Sequence, residues 1–243
     1  MPLSRNQRIA ARFASAAKTY ERNADLQARV AARLAELLPA LEHPRVLEVG
    51  CGTGLMTRHL LERYPHGEFL ITDLAPEMVA LCRSRHESEN GRSVRFRTMD
   101  GEAPDCTGPF DLIVLSMTLQ WFADPRGGLR TLKGLLQPGG HILYAAPGQG
   151  SLAEWQAVLQ SFSLPHGGVE MPELPHVASR EDRAIRYGSG LAFLQTLKGI
   201  GATTPRQGYT PLPPGTLRMA LQRFEDEHDA RATWRIVYGK IPA

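Results

Sequence analysis

Arg45-Val-Leu-Glu-Val-Gly-Cys-Gly-Thr-Gly54 is the stretch of the chain that decides the fold. A short apolar run ends in glycines at positions 50, 52 and 54, and an amphipathic segment follows from Leu55 to Tyr64. This order predicts a strand, a tight turn and a helix, which open a doubly wound α/β sheet with a crevice for a nucleoside. Glycine suits the turn because a side chain would block the approach of a ligand to the backbone.

Two acids beside this turn indicate which nucleoside the crevice accepts. Asp73 ends a second apolar run, where a carboxylate can accept hydrogen bonds from ribose hydroxyls. Glu48 precedes the first glycine, and the third glycine comes one residue earlier than in the dinucleotide pattern Gly-x-Gly-x-x-Gly. A carboxylate at this place suits a ligand with an ammonium and a sulfonium better than one with two phosphates. The loop resembles motif I of the class I S-adenosylmethionine-dependent methyltransferases.

Composition excludes several other classes of protein. The 243 residues carry a net charge of +3 and are 42% hydrophobic and 22% charged, which is typical of a globular enzyme. No apolar run approaches the roughly 20 residues that span a bilayer, and no nucleic-acid motif is present, so we expect neither a membrane nor a nucleic acid as partner. Three scattered cysteines predict a reducing cytoplasm rather than a disulfide framework. The eight histidines lack zinc-ligand spacing, so we expect no metal.

Hydrophobic periodicity divides the chain into alternating strands and helices after an N-terminal helical region, 7–38. Pro138-Gly-Gly140 is predicted to be a sharp turn, and Gly201 is predicted to end a helix that begins at Ser189. The predicted strands are 46–49, 69–72, 94–99, 111–117, 141–145 and 232–239. The predicted helices are 55–64, 76–86, 125–136, 152–162, 189–200 and 216–227. Strands separated by helices predict a parallel sheet with both faces covered.

We therefore predict a single domain over residues 1–243. Helices within 1–40 form a lid, 44–162 form the cofactor-binding core, 163–232 form a helical insertion on the substrate side, and 233–240 form an antiparallel last strand. An insertion before the last strand lies at the carboxyl edge of the sheet, where it shapes the site of the second substrate.

The fourth strand ends in Ser116-Met-Thr-Leu-Gln-Trp-Phe122, at the edge where a methyl-accepting group would arrive. No Asn-Pro-Pro-Tyr run and no Asp/His pair stands there as a base for N-methylation. A carboxylate acceptor is already anionic and needs no proton removed. An enzyme would hold such a group with arginine, whose fork matches it bidentately. Arg180, Arg183 and Arg186 are the candidates, and a solvated helix face is the alternative explanation for them.

The whole chain resembles the malonyl-acyl-carrier-protein O-methyltransferases of biotin synthesis. Five parts carry the resemblance: 12–20 with Ala24 and Gln27, 46–57, 72–78, 110–113 with Leu119-Gln-Trp-Phe122, and 193–202 with the closing 233–239. The second and third parts are common to many methyltransferases. The first part, Leu-Gln-Trp, and Leu-Lys-Gly-Ile-Gly-Ala are more discriminating. Met117 stands where the family often has asparagine, and 163–190 match poorly.

The resemblance implies methyl transfer from S-adenosylmethionine to the free carboxylate of a malonyl thioester on acyl carrier protein, or alternatively on coenzyme A. The methyl ester then primes pimelate synthesis. Tyr20 would lie in the lid helix, and Gln120 and Trp121 at the methyl-transfer site. The implied cofactor-binding residues are Glu48, Gly50, Cys51, Gly52, Gly54, Asp73, Leu74, Asp100, Gly101 and Ser116. Because carrier protein is acidic, the basic N-terminal segment and the arginines of the insertion would assist docking.

Two alternatives stay open on the residues alone. One is a methyltransferase of the same fold that acts on a small carboxylic acid or a quinone precursor. The other is a non-catalytic nucleoside-binding or scaffold domain. Against the second, Glu48, Asp73 and Asp100 fall at the ends of the first three predicted strands, which places three acids on one rim beside the glycine loop.

Overall fold

A computed structural model describes residues 4–16, 24–86, 93–165, 167, 171, 173–199 and 209–243 of the chain. Its strands are β1 (Arg45–Val49), β2 (Glu68–Asp73), β3 (Ser93–Thr98), β4 (Phe110–Ser116), β5 (Leu136–Pro147), β6 (Val177–Arg186) and β7 (Arg231–Pro242). Its helices are α1 (Arg5–Ala16), α2 (Asp25–Ala35), α3 (Leu55–Arg63), α4 (Pro76–His86), α5 (Pro125–Lys133), α6 (Ala153–Ser161), α7 (Gly190–Gly199) and α8 (Pro214–His228).

The seven strands form one sheet in the order β3-β2-β1-β4-β5-β7-β6. Strands β1 to β5 pair parallel with one another, whereas β7 pairs antiparallel with both β5 and β6. Val49 lies beside Thr72, and Asp73 lies beside Thr98, so the carboxyl ends of the first three strands meet at one edge. The predicted doubly wound sheet with an antiparallel last strand is confirmed.

Apolar side chains cover both faces of this sheet. Val46 belongs to a cluster with Leu60 and Trp234, whereas its neighbour Leu47 belongs to a second cluster with Leu129. Successive residues of a strand point to opposite faces, so the two clusters are the two sides of the sheet. Strands buried on both sides read as continuous apolar runs, which is why the central strands are visible in the sequence.

The insertion before the last strand is the place where the sequence-based prediction is wrong. Residues 177–186 were expected within a helical insertion, but they form the long strand β6 along β7. Helices α7 and α8 follow it, close to their predicted bounds. The predicted turn at Pro138–Gly140 is also wrong, because β5 runs through it with a register shift opposite Phe110 and Leu112. The expected helix stop at Gly201 lies outside the described residues.

Helix α1 is the element that closes the site. Its residues Asn6, Ile9 and Phe13 line a cavity whose other walls come from the carboxyl ends of β1 to β4. These residues are three and four positions apart, so they share one face of the helix. The predicted N-terminal helical region is present as α1 and α2 within the described residues, and α1 contributes one wall of the cavity.

Candidate active site

The cavity lies between α1 and the carboxyl edge of the sheet, which is where α/β folds bind ligands. The residues that line it from the strand ends and the loops after them are Glu48, Val49, Gly50, Cys51, Gly52, Thr53, Asp73, Leu74, Met99, Asp100, Gly101, Glu102, Ser116, Met117, Thr118, Trp121 and Phe122. Gln27 of α2 and Leu55 and Met56 of α3 complete the lining with the three residues of α1.

The glycine loop is folded tightly against β2. The amides of Gly50 and Cys51 both donate to the carbonyl oxygen of Thr72, at 2.8 and 2.9 Å. Gly50 has a φ of +78°, and a Cβ there would overlap the side chain of Thr118, so only glycine fits. A Cβ at Gly52 would meet no atom within 4 Å. The loop therefore leaves open space above Gly52 in which a ligand can contact the backbone.

Glu48 is a buried carboxyl at the end of β1, with 1% of its surface exposed. Thr57 Oγ1 donates to its Oε2 at 2.6 Å. Burial raises the pKa of Glu48 from 4.5 to about 8, although the Thr57 hydrogen bond acts in the opposite direction. A buried carboxyl with this pKa pairs well with a cation that enters the cavity, because the cation replaces the lost solvation.

Asp73 is positioned by two backbone amides at the end of β2. Gly52 N donates to Oδ2 at 2.9 Å, and Ala75 N donates to Oδ1 at 2.8 Å. Burial raises the pKa of Asp73, and these backbone bonds lower it. An ionised carboxylate has about four acceptor positions, so both oxygens keep a position for a further donor such as a ribose hydroxyl.

Asp100 follows β3 and contacts the covering helix. Its Oδ1 accepts from Glu102 N at 2.9 Å, and its Oδ2 accepts from the side-chain amide of Asn6 at 2.7 Å. A Cβ at Gly101 would overlap Val49 and lie 2.9 Å from the Phe122 ring, so the chain passes close to both side chains. The third acid of the rim is therefore tied directly to α1.

Trp121 closes the cavity at the end of β4. It ends a short 3-10 helix, Leu119–Trp121, and its ring meets Phe13 of α1 edge to face, with 5.2 Å between centroids. Gln120 is not part of the cavity lining. Its Nε2 donates to Met117 O at 2.7 Å, and its buried Oε1 has no partner among the described residues.

Two residues of the cavity lining carry buried polar atoms without hydrogen-bond partners in the part of the chain that the structure describes. Within the described chain, neither Gln27 Oε1 nor Thr53 Oγ1 has a hydrogen-bond partner. Buried polar atoms without partners are uncommon in native proteins, and both residues line the cavity, Thr53 from the glycine loop and Gln27 from α2. An acceptor amide oxygen, a hydroxyl and the Glu48 carboxyl suit a ligand end that carries an ammonium and a carboxylate.

Nine of the ten predicted cofactor-binding residues line the cavity, and Gly54 does not. Gly54 begins α3 with a φ of +93°, and a Cβ there would lie 2.5 Å from Nε2 of His86. The left-handed backbone at Gly54 and the nearby His86 side chain therefore account for the glycine. The Cys51 thiol lines the cavity, but a hydrogen bond to Cys82 and burial raise its pKa, which makes it a poor nucleophile. Tyr20 lies outside the described residues.

The three candidate arginines lie on β6, not on a helix, and none lines this cavity. Arg183 pairs with Glu181, and Arg186 with Asp229. Arg180 lines a separate pocket beside Arg235. Because β5 and β7 separate β6 from β4, three strand spacings of about 4.8 Å place β6 about 14 Å from the strand that ends at Ser116. The distance of these arginines from the methyl-transfer end of the cavity therefore does not support their predicted role in binding the substrate carboxylate.

Sequence reasoning did not include Asn6, Ile9, Phe13, Gln27 or Phe122 among the site residues. The helical spacing of Ile9 and Phe13 is visible in the sequence, but spacing alone does not say what an apolar helix face covers. Among the described residues, no group of three or more His, Cys, Asp and Glu side chains is arranged to hold a metal. No helix in the described ranges has the length and apolar character needed to cross a bilayer.

Comparisons with solved structures agree with the class that the fold and cavity define, the class I methyltransferases. The YcgJ protein of Bacillus subtilis is 16% identical with a TM-score of 0.59, over 88% of this chain and 97% of that one. Phosphoethanolamine N-methyltransferase 2 of Haemonchus contortus, solved with S-adenosylhomocysteine, is 14% identical with a TM-score of 0.59, over 100% of this chain and 61% of that one. A family model described as a methyltransferase domain matches residues 47–142.

Sequence relatives narrow the class. The malonyl-[acyl-carrier protein] O-methyltransferase of Magnetococcus marinus is 36% identical over 97% of this chain and 92% of its own length. The Salmonella typhimurium protein of the same description is 34% identical over 83% and 82%. The biotin biosynthesis bifunctional protein BioCD of Bordetella avium is 39% identical over 98% of this chain, which spans 53% of that protein. The chain belongs to the malonyl-[acyl-carrier protein] O-methyltransferase family.

Proposed function

We propose that the protein transfers a methyl group from S-adenosylmethionine to the free carboxylate of a malonyl thioester carried by acyl carrier protein. The resulting methyl ester primes the synthesis of pimelate for biotin. Relatives that align over nearly the whole chain and are described by this activity support the proposal. The observation in the structure that carries it is a single cavity with the glycine loop, Glu48, Asp73 and Asp100 on one rim.

The chain's own residues account for the binding of the cofactor. Asp73 offers carboxylate positions to ribose hydroxyls, and Asp100 with the Gly101 amide suits the edge of an adenine. Glu48, Gln27 Oε1 and Thr53 Oγ1 would hold the amino-acid end beside the glycine loop. S-adenosylmethionine supplies a methyl group activated by a sulfonium. Leu74, Cys51 and Ser116 complete the walls of this site.

The walls of the cavity are consistent with an acceptor that needs no base. The described lining contains no histidine, lysine or tyrosine side chain. Its four carboxyl groups already accept hydrogen bonds from neighbouring groups of the chain: Glu48, Asp73, Asp100 and Glu102. A carboxylate is already anionic at neutral pH, so positioning and the exclusion of water supply the acceleration. Ile9 is 3% exposed, and the Phe13 and Trp121 rings meet across the cavity, so α1 provides the apolar cover.

We also propose that the enzyme works in the cytoplasm and that malonyl-coenzyme A is an alternative acceptor. Cys51, Cys82 and Cys106 are all free thiols, as is usual for proteins of a reducing compartment. Carrier protein and coenzyme A present the malonyl thioester on the same type of arm, so the reacting group is the same.

Methyl-labelled S-adenosylmethionine and purified acceptors test the function. We expect label in malonyl-carrier protein that mild base releases as methanol, and no label in acetyl-carrier protein, which has no free carboxylate. Asp73→Asn should abolish labelling, and Asp105→Asn, an exposed aspartate outside the cavity, should leave it unchanged. Label in free malonate or a quinone precursor but not in malonyl-carrier protein would favour the small-molecule alternative. Cofactor binding without turnover of any acceptor would favour the non-catalytic alternative.

A further inference from the structure

We infer that Arg5, Arg8 and Arg12 of α1 form the surface on which the acidic carrier protein docks. This inference rests on the proposed function and deepens it, because it names the part of the chain that recognises the protein bearing the thioester. The three arginines are called the arginine stripe below.

The arginine stripe occupies one continuous face of α1. Its members are three and seven positions apart, and about 100° of rotation per residue puts all three within roughly 60° of one another around the helix. Helix α1 contains no acidic residue. Arg8 is exposed, and Arg5 and Arg12 are half-buried. The stripe extends for about 10 Å along the axis at 1.5 Å per residue, which matches two turns of an acidic helix laid beside it.

The stripe borders the face of α1 that covers the cavity. Ile9 is about 40° from Arg5 around the helix, and Phe13 and Asn6 follow on the same side. Arg5 Nη2 donates to the carbonyl oxygen of Phe122 at 3.3 Å, and Phe122 is itself part of the cavity lining. Arg5 Nη1 is buried without a hydrogen-bond partner among the described residues. Arg5 therefore places the end of the arginine stripe at the margin of the cavity.

The chemistry of the acceptor selects the occupant of this surface. A thioester on a carrier protein reaches the cavity only if its protein lies at the cavity margin, where α1 is. Charge complementarity between that acidic protein and three arginines steers and orients the encounter. Docking on α1 also holds the helix over the cavity, so that acceptor binding and exclusion of water become one event.

A second group of arginines provides the control. A separate surface pocket around β3 is lined by four arginines that do not line the cavity: Arg45, Arg83, Arg95 and Arg97. Arg97 pairs with Asp105 and Arg45 with Glu68, whereas Arg95 is exposed and has no ion pair within the described chain. Arg95→Glu changes the net charge as much as Arg8→Glu does, but it does so outside the arginine stripe.

The experiment compares two acceptors for each variant: malonyl-carrier protein, and malonyl-N-acetylcysteamine, which has the thioester but neither protein nor phosphate. For the double variant Arg8→Glu/Arg12→Glu we expect KM for malonyl-carrier protein to rise about 10-fold, which corresponds to the interaction energy of two exposed charge pairs. We expect kcat to be unchanged. KM for malonyl-N-acetylcysteamine should stay within about twofold, and salt should narrow the difference between variant and wild type. Arg95→Glu should change neither KM.

Several results would overturn the inference. An unchanged KM for malonyl-carrier protein would do so, as would an equal rise for both acceptors, because that would indicate a disturbed cavity. If the half-buried Arg12 disturbs folding, the single Arg8→Glu variant should still raise that KM about threefold. Inhibition by the unloaded carrier protein gives a second readout, since its inhibition constant should rise in parallel. A wild-type enzyme that does not methylate malonyl-carrier protein would refute the proposed function instead.

Discussion

Glu48→Gln tests the electrostatics of the cofactor cavity. Glutamine has the shape of the protonated carboxyl, and its carbonyl oxygen can accept the hydrogen bond from Thr57 Oγ1. Burial raises the pKa of Glu48 from 4.5 to about 8. The folded protein without cofactor therefore keeps this proton up to about pH 8, whereas the unfolded chain loses it above pH 4.5.

The sign and size of the effect follow by linkage. Because the folded pKa is the higher one, the stabilisation is fully present below pH 4.5 and is lost as the pH rises to about 8. The loss amounts to about 1.4 kcal/mol per pH unit and to about 5 kcal/mol in all. Glu48→Gln removes this titration, so the free energy of unfolding of the variant should exceed that of wild type by an amount that grows between pH 5 and 8.

Urea unfolding of the cofactor-free proteins at pH 5, 6, 7, 8 and 9 measures this difference. Glu42→Gln, an exposed glutamate before β1, should follow wild type throughout. The same series should show the affinity of wild type for S-adenosylmethionine rising by up to about tenfold per pH unit below pH 8, since the carboxylate is the form that pairs with a cation. Parallel unfolding curves for wild type and Glu48→Gln would show that Glu48 is ionised without cofactor and would refute the reasoning.

Two further substitutions test the loop and the cover. Gly50→Ala should lower the free energy of unfolding by at least about 1 kcal/mol more than Gly52→Ala; both positions have positive φ, but only a Cβ at Gly50 overlaps Thr118. Equal losses in thermal or urea unfolding would contradict the close packing at Gly50. Phe13→Ala should weaken S-adenosylmethionine binding by about 5- to 30-fold in calorimetry, as expected for the loss of a ring contact and its burial. An unchanged dissociation constant would show that α1 does not cover the cofactor.

The sequence predicts the central part of the fold because that part follows simple rules. Strands β1, β2, β4 and β5 are covered on both sides, so their apolar runs are unmistakable, and Pro76 and Pro125 mark the starts of α4 and α5. The rim acids follow from the same rules, because residues at or just after the carboxyl end of a parallel strand lie at the binding edge.

The parts that could not be predicted depend on tertiary contacts. Strand β6 has charged residues on both faces and only partial burial, so neither the strand nor the helix pattern is present in 177–186. Its structure comes from pairing with β7, which is distant in the sequence. Likewise Asn6 and Gln27 have no local signal for a site, since their roles depend on where α1 and α2 lie against the sheet.

The position of β6 at the edge of the sheet suggests a different role for its arginines. β6 is the last strand of the sheet among the described residues, so one side of its backbone is open to pairing with another chain. This edge carries charges of both signs, at 180–183 and Arg186, and they disfavour the approach of a second copy. Two hydrogen bonds from the Arg235 guanidinium hold the carboxylate of Asp182 in this charged row. We therefore expect the arginines that a sequence reading assigns to substrate binding to disfavour self-association by strand addition at this edge.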